Sequence, residues 1–208
     1  MDASRRADAD ASLVVLAAGA SSRMGEPKGL VTVRGRPWID HQLDAARSAG
    51  VRRVVVVLGR DRGPYLQAVP SLAQRALVAV NPDPDRGPFS SLQCGLRALG
   101  ADGPRAAFVL PVDVPAASPE VWRALAAALA AALPVDSSID AAVPVHGGHG
   151  GHPVLLSSAF AARLLALAPD DRLDHALRRP GVAIARVPVV DPRVRMNLNR
   201  PEDWGTLK

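Results

Sequence analysis

The sequence predicts an α/β domain built on one doubly wound, mostly parallel sheet with helices on both faces. Three observations carry this. Apolar runs alternate with stretches of helical spacing along nearly the whole chain, the order that βαβ units impose. Several runs are continuously apolar, as strands buried on both faces must be. At 208 residues the chain is long enough for one well-cored α/β domain and short for two.

Strands are predicted over residues 13–18 (LVVLAA), 51–58 (VRRVVVVL), 75–80 (RALVAV), 105–112 (RAAFVLPV), 141–146 (AAVPVH) and 183–190 (AIARVPVV). Helical spacing occupies residues 38–48, 65–72, 90–99, 119–133 and 158–167; in the first of these Ile39, Leu43 and Ala46 fall on one face. Residues 1–11 are polar and charged, lack the apolar core of a signal peptide, and are expected to be a disordered tail ahead of a domain at 12–208. The longest apolar run, 124–133, is mostly alanine and too short to span a bilayer, so no membrane association is expected. The lone Cys94 excludes an internal disulfide and fits the reducing cytoplasm.

A net charge of +5 would suit nucleic acid, but the arginines are scattered and aromatics make up 3% of the chain, a poor stacking platform. A phosphorylated small molecule explains the balance as well. Lysine is nearly absent: Lys28 and Lys208 are the only two among 25 basic residues. Lys28 closes the stretch Leu16-Ala17-Ala18-Gly19-Ala20-Ser21-Ser22-Arg23-Met24-Gly25-Glu26-Pro27-Lys28. Small residues directly after a buried strand let backbone N–H groups face an anion, and a lysine is a compact point charge suited to phosphate oxygens. Neither GxxxxGK[ST] nor GxGxxG is present.

This motif resembles the signature LAxGxSxRMGxxK of the nucleotidyltransferases that act on the molybdenum cofactor and, more broadly, of the nucleoside-diphosphate-sugar transferase fold, a Rossmann-like nucleotidyltransferase fold. The resemblance extends to three further segments. Asp113-Val114-Pro115, at the tip of the fourth strand, matches a D-x-P of the family; a carboxylate there suits Mg²⁺, which takes one or two carboxylates and leaves its other positions to water and phosphate. Taken alone, such an aspartate is commonly a turn former. The segment from Asn81 to Leu96 matches NPx(4)GxxxSLxxGL; as local structure it is a loop with a helix cap at Ser90 or Ser91, and the family reading adds a nucleobase contact at Asn81 and a phosphate or pterin contact near the helix N-terminus, at Ser91. Gly151, His152 and Pro153 match the family's GHP, implying an acceptor-binding loop. His146, His149 and His152 recur at intervals of three, but on a glycine-rich chain they make a poor preorganised metal site.

The resemblance, running from about Leu13 to Trp204, implies a Mg²⁺-dependent nucleotidyltransferase. Arg23, Lys28 and Asp113 would form the catalytic set; Leu16, Ala17, Ala18, Gly19, Ala20, Ser21, Arg23, Lys28, Asn81 and Ser91 the nucleotide site; Asp113 and Asn199 the metal ligands; and Gly151, His152 and Pro153 the acceptor site. Ala18, Ser90-Ser91-Leu92 and the GHP look like the molybdopterin cytidylyltransferase branch, which uses CTP. Asn197-x-Asn199 looks like the guanylyltransferase branch, which uses GTP, and Arg200 replaces the usual threonine. Cytidylyl transfer to molybdopterin is the favoured expectation, with guanylyl transfer and a sugar-phosphate acceptor as alternatives. A non-catalytic chaperone that loads a molybdoenzyme partner is the alternative of another class.

Overall fold

The computed structural model describes residues 11–19, 25–100, 105–131, 139–205 and 207. Its first half runs β1 (Ala11–Ala17), a 3₁₀ turn (Lys28–Leu30), a small ribbon β2 (Thr32–Val33) and β3 (Arg36–Pro37), α1 (Trp38–Ser48), β4 (Val54–Leu58), α2 (Gly63–Ala68), α3 (Leu72–Arg75), β5 (Leu77–Val80), a 3₁₀ turn (Pro84–Arg86) and α4 (Pro88–Leu99). The second half runs β6 (Ala106–Pro111), α5 (Pro119–Ala131), β7 (Ala141–His146), β8 (His149–Gly150), β9 (Val154–Ser157), α6 (Ser158–Leu165), α7 (Leu173–Leu177), β10 (Ile184–Pro188) and 3₁₀ turns at Pro192–Arg195 and Pro201–Trp204.

Among the described residues the main sheet has eight strands in the order β10-β7-β9-β6-β1-β4-β5, with β8 paired to β7. β1 runs parallel to β4 and β6, β4 to β5, and β10 to β7. The sheet is therefore mostly parallel, as expected. β9, which the sequence reading missed, runs antiparallel between β6 and β7. It escaped because Val154-Leu155-Leu156 is a short apolar run wedged between a glycine-rich loop and a helix, too brief to show a period. Its antiparallel direction follows from a tight reversal: β7 and β8 form a hairpin across Gly147 and Gly148, whose positive φ values of 56° and 80° suit a two-residue turn.

Other boundaries moved for local reasons. Ala11, assigned to the tail, is the first residue of β1 and pairs with Ala106; residues 1–10 lie outside the described residues. The single helix expected at 65–72 is two short ones separated around Pro70, whose ring cannot continue a helical hydrogen-bond ladder. The strand expected at 51–58 begins only at Val54, as β4, because Arg52 and Arg53 are exposed.

Strand side chains alternate between two apolar layers, as the period of two requires. On one face Leu13, Val15, Val56 and Phe108 meet Ile39 and Leu43 of α1 and Trp122 and Leu125 of α5. On the other Val14, Val55 and Val109 meet Leu92 and Leu96 of α4 and Phe160 and Leu164 of α6. Each fully buried leucine contributes about 1.5–3 kcal/mol.

Two features position the site. The register Leu16↔Pro111 aligns the carboxyl ends of β1 and β6, and Val112 N donates to Leu16 O (3.0 Å), so Ala17 to Gly19 and Asp113 leave the sheet side by side. Helix α1 then braces the segment beyond β6: Trp38 Nε1 donates to Val112 O (2.7 Å), Gln42 Nε2 to Val114 O (2.7 Å), and Gln42 Oε1 accepts from Ala116 N (2.8 Å). On the opposite face α4 lies so close to the sheet that a Cβ on Gly95 would stand 2.3 Å from Val14 Cγ1 and 3.0 Å from Val57 Cγ2. Gly95→Ala is therefore expected to destabilise the protein by about 1–3 kcal/mol, read as a lower urea midpoint with unchanged slope; a parental midpoint would mean that α4 shifts without cost.

Candidate active site

The carboxyl ends of β1 and β6 floor a cleft of about 1100 Å³ that extends to β7 and β10 at the sheet's far edge. Leu16, Ala17, Ala18 and Gly19 form one wall, with Ser91 from α4. Ala20, Ser21 and Arg23, expected to complete this wall, lie outside the described residues.

Lys28 sits at the centre. Its Nζ donates to Asp113 Oδ2 at 2.8 Å and to Asn199 Oδ1 at 2.7 Å, joining residues 85 and 171 positions apart. Each member is fixed by its own backbone. The 3₁₀ turn that begins at Lys28 is seated on Tyr65: a Cβ on Gly29 would stand 2.6 Å from the tyrosine oxygen, so only glycine lets the turn approach. Burial pushes the Tyr65 hydroxyl up to about 12, partly offset by its hydrogen bond with the Gly29 backbone, so it stays protonated. Leu198 N donates to Asp113 O (2.8 Å), drawing the C-terminal segment across the tip of β6. Asp203 Oδ2 accepts from the backbone N of both Asn199 and Arg200 (2.8 Å each), which holds Asn199 at the head of the final turn. Tyr65, Leu198 and Asp203 were not read as site-building residues; their roles are backbone placements that no side-chain motif announces.

Asn81 is placed differently from the expectation. It is 2% exposed and does not line the cleft; its Nδ2 donates to Ser90 Oγ (2.8 Å) and Ser91 Oγ (3.0 Å), and its Oδ1 accepts from Asp83 N (2.9 Å). With both ends of the amide engaged, Asn81 braces the loop that presents Ser91 instead of reaching a ligand itself.

The GHP segment is also a structural clamp. Gly151 N donates to Pro144 O and His152 N to Val194 O, both at 2.9 Å, and a Cβ on Gly151 would lie 2.1 Å from Val194 O. Gly151 and His152 line the cleft, whereas Pro153 is buried behind it. His146 and His149 are cross-strand neighbours in the β7–β8 hairpin, and among the described residues no group of three His, Cys, Asp or Glu could hold a metal. A metal in this cleft would instead draw on Asp113 and Asn199. Their oxygens converge on a single cationic atom, which fits a hard cation that takes one carboxylate, one amide oxygen and otherwise phosphate and water.

Residues 13–185 match the family model of the MobA-like NTP transferase domain. The chain belongs to this family. The matched residues include Lys28 and Asp113, which meet in the cleft just described. A curated relative, the bifunctional protein GlmU of Mycolicibacterium vanbaalenii, is 39% identical over 111 residues, 51% of this chain and 23% of the relative. The match thus spans under a quarter of that relative's length. Among solved structures, Rv0371c from Mycobacterium tuberculosis is 22% identical with a TM-score of 0.77, covering 96% of this chain and 98% of that one; a structure of Rv0371c in complex with manganese also aligns, with a TM-score of 0.74. A nucleotidyl transferase from Methanothermobacter is 26% identical, with a TM-score of 0.74 and 94% of each chain covered. The molybdopterin-guanine dinucleotide biosynthesis protein A from Archaeoglobus fulgidus is 20% identical, with a TM-score of 0.68, covering 94% of this chain and 96% of that one. The MobA-like fold is thereby placed among Rossmann-like nucleotidyltransferases.

Burial lowers the pKa of His152, opposed by its backbone contact to Val109 (3.4 Å) and by the charge of Asp113. A histidine depressed in the folded state contributes stability that is full above its ordinary value of 6.5 and is lost as pH falls through the depressed value. The melting temperature is therefore expected to fall on acidification from about pH 8 to 5, and His152→Gln to flatten part of that slope; identical slopes would show that His152 is not titrating out of a buried neutral state.

Proposed function

We propose that this protein transfers a CMP group from CTP to the phosphate of molybdopterin, releasing pyrophosphate, in the cytoplasm and with Mg²⁺ as cofactor. The observation that carries the reading is the meeting of Lys28, Asp113 and Asn199 midway between the glycine-containing loop after β1 and the GHP loop. An oxygen of the acceptor phosphate attacks the α-phosphorus in line as the bond to the bridging oxygen of pyrophosphate breaks. No covalent protein intermediate is needed, because positioning and charge neutralisation supply most of the catalysis in such transfers.

In this reading Leu16, Ala17, Ala18 and Gly19 hold the base and ribose, Ala20 and Ser21 belong to the same nucleotide-binding set, and Ser91 meets a phosphate or the pterin near the N-terminus of α4. Lys28 and Arg23 neutralise the β- and γ-phosphates and the departing pyrophosphate. Asp113 and Asn199 would hold Mg²⁺, whose charge offsets that of the triphosphate. A divalent cation accompanies one fold neighbour as manganese.

The acceptor end of the cleft supports an anionic acceptor with a largely apolar body. Val143, Val154, Leu177 and Ile184 line it, and the strand period puts Ile184 and Arg186 on the face of β10 that adjoins Val143. Arg172 and Arg178 are paired with Asp174 (2.9 and 3.5 Å), whereas the Arg186 guanidinium has no hydrogen-bond or ion-pair partner among the described residues. A flat ring system bearing a phosphate would find apolar surface and a fork of donors there. Guanylyl transfer from GTP is the second reading, favoured by the neutral Asn197-x-Asn199 ending and by the molybdopterin-guanine dinucleotide role in the name of the Archaeoglobus neighbour.

A thermal-shift panel of CTP, GTP, ATP and UTP with Mg²⁺ tests the branch: preferential stabilisation by CTP is expected, since ligand bound to the native state raises apparent stability by mass action. A preference for GTP would overturn the cytidylyl reading, and nucleotide binding without pyrophosphate release in the presence of molybdopterin would leave a chaperone that loads a molybdoenzyme. Arg186→Glu is expected to raise the KM for the acceptor by about 10-fold or more and leave nucleotide binding unchanged; an unchanged acceptor KM would remove Arg186 from the acceptor site.

A further inference from the structure

The oxygens proposed to ligate the metal already hold a cation. Lys28 Nζ lies 2.8 Å from Asp113 Oδ2 and 2.7 Å from Asn199 Oδ1, so the ammonium occupies the point on which both oxygens converge. A Mg²⁺ or Mn²⁺ ion drawing on the same two atoms would face the ammonium at short range, and the two positive charges would repel. At the lone pairs that Nζ now uses, metal and ammonium compete. For a metal ion to take them, Lys28 must move to other oxygens, and a triphosphate supplies such oxygens beside it.

We infer that Lys28 is the resident counter-ion of the Asp113–Asn199 pair, so that a divalent cation binds this cleft weakly alone and tightly as its nucleotide chelate. The inference rests on the assignment of Asp113 and Asn199 as the metal ligands. It names the substrate that enters, metal and nucleotide together, and it makes the coupling reciprocal: whatever nucleotide does for metal affinity, metal does for nucleotide affinity.

Three features suit this exchange. A lysine ends in a single nitrogen that can sit on two oxygens at once and leave both together; a planar guanidinium would be held by a bidentate fork. Only one of the two oxygens belongs to a carboxylate, so at this pair Lys28 gives up one charged partner and one neutral one. That gives a physical reason for asparagine at position 199: a second carboxylate would hold the lysine more firmly in the metal-free protein. Finally, the Lys28 and Asp113 side chains are 16% and 25% exposed, so water screens the pair and keeps it modest. The 3₁₀ turn seated on Tyr65 fixes the lysine backbone while leaving its long side chain to swing.

The test uses the full chain without nucleotide and Mn²⁺ as the probe, with free Mn²⁺ read by electron paramagnetic resonance. The parent is expected to bind Mn²⁺ weakly, and Lys28→Met and Lys28→Gln to bind it at least about 10-fold more tightly. Adding Asp113→Asn to Lys28→Met should abolish the gain, which locates the bound ion on the same oxygens; circular dichroism verifies that each variant is folded. Mn²⁺ affinity in both Lys28 variants equal to the parent's overturns the inference, as does a gain that survives Asp113→Asn. Because no turnover is measured, failure here is distinct from failure of the functional reading, which would show as absent pyrophosphate release by the parent.

Discussion

The parallel pairing of β1 with β6 is the constraint on which the rest of the site depends. Because Leu16 and Pro111 are in register and Val112 N reaches back to Leu16 O, the two chains leave the sheet at the same height. One continues as a loop of small residues, the other as Asp113. Ligands of open α/β sheets bind beyond the carboxyl ends of the strands for this reason: backbone groups there are no longer consumed by the ladder, and side chains point into space enclosed by the loops. A slip of one residue between β1 and β6 would turn every alternating side chain to the other apolar layer, so the core that fixes the register also fixes the site.

Charge is placed by a second constraint, which acts over a long sequence separation. The C-terminal segment contributes Asn199 only because Leu198 N donates to Asp113 O and Asp203 caps the turn that follows. The GHP segment secures the 3₁₀ turn Pro192–Arg195 ahead of that segment, through His152 N to Val194 O and the close approach at Gly151. The acceptor-side loop and the proposed metal ligand are thus joined through one short stretch, Val194 to Asn199. A shift at either end is transmitted to the other through backbone hydrogen bonds, which tolerate displacements of a few tenths of an ångström before they are lost.

The meeting of Lys28, Asp113 and Asn199 was legible in the sequence because it involves side chains that stand out by identity. A lysine in a chain that otherwise uses arginine, an aspartate ending an apolar run, and an asparagine ahead of Pro-Glu-Asp each stand out from their surroundings. The mostly parallel sheet was legible for a similar reason: buried strands must be continuously apolar, and these are. What could not be read is set by backbone geometry. β9 is four residues long and leaves no period. Gly151 reads as a flexible loop residue, yet the structure needs it because another carbonyl passes 2.1 Å from where its Cβ would be. Asn81 reads as a ligand contact in a polar loop, but its amide is consumed by Ser90, Ser91 and Asp83. Gln42, which no sequence pattern singles out, is buried and bridges Val114 O and Ala116 N. In each case the deciding partner lies far away in sequence or is a main-chain atom.

Asn81 shows how such a residue still bears on chemistry. Its Nδ2 donates to Ser91 Oγ, so one acceptor position of that hydroxyl is filled from behind the cleft wall. A hydroxyl with a lone pair so engaged directs its own proton away from the donor, and Ser91 lines the cleft. That bond fixes where the Ser91 oxygen sits on the cleft wall, held by an amide that is 2% exposed and cannot reorient without leaving buried polar groups unsatisfied. The residue that positions this hydroxyl therefore sits behind the cleft wall and does not itself line the cleft.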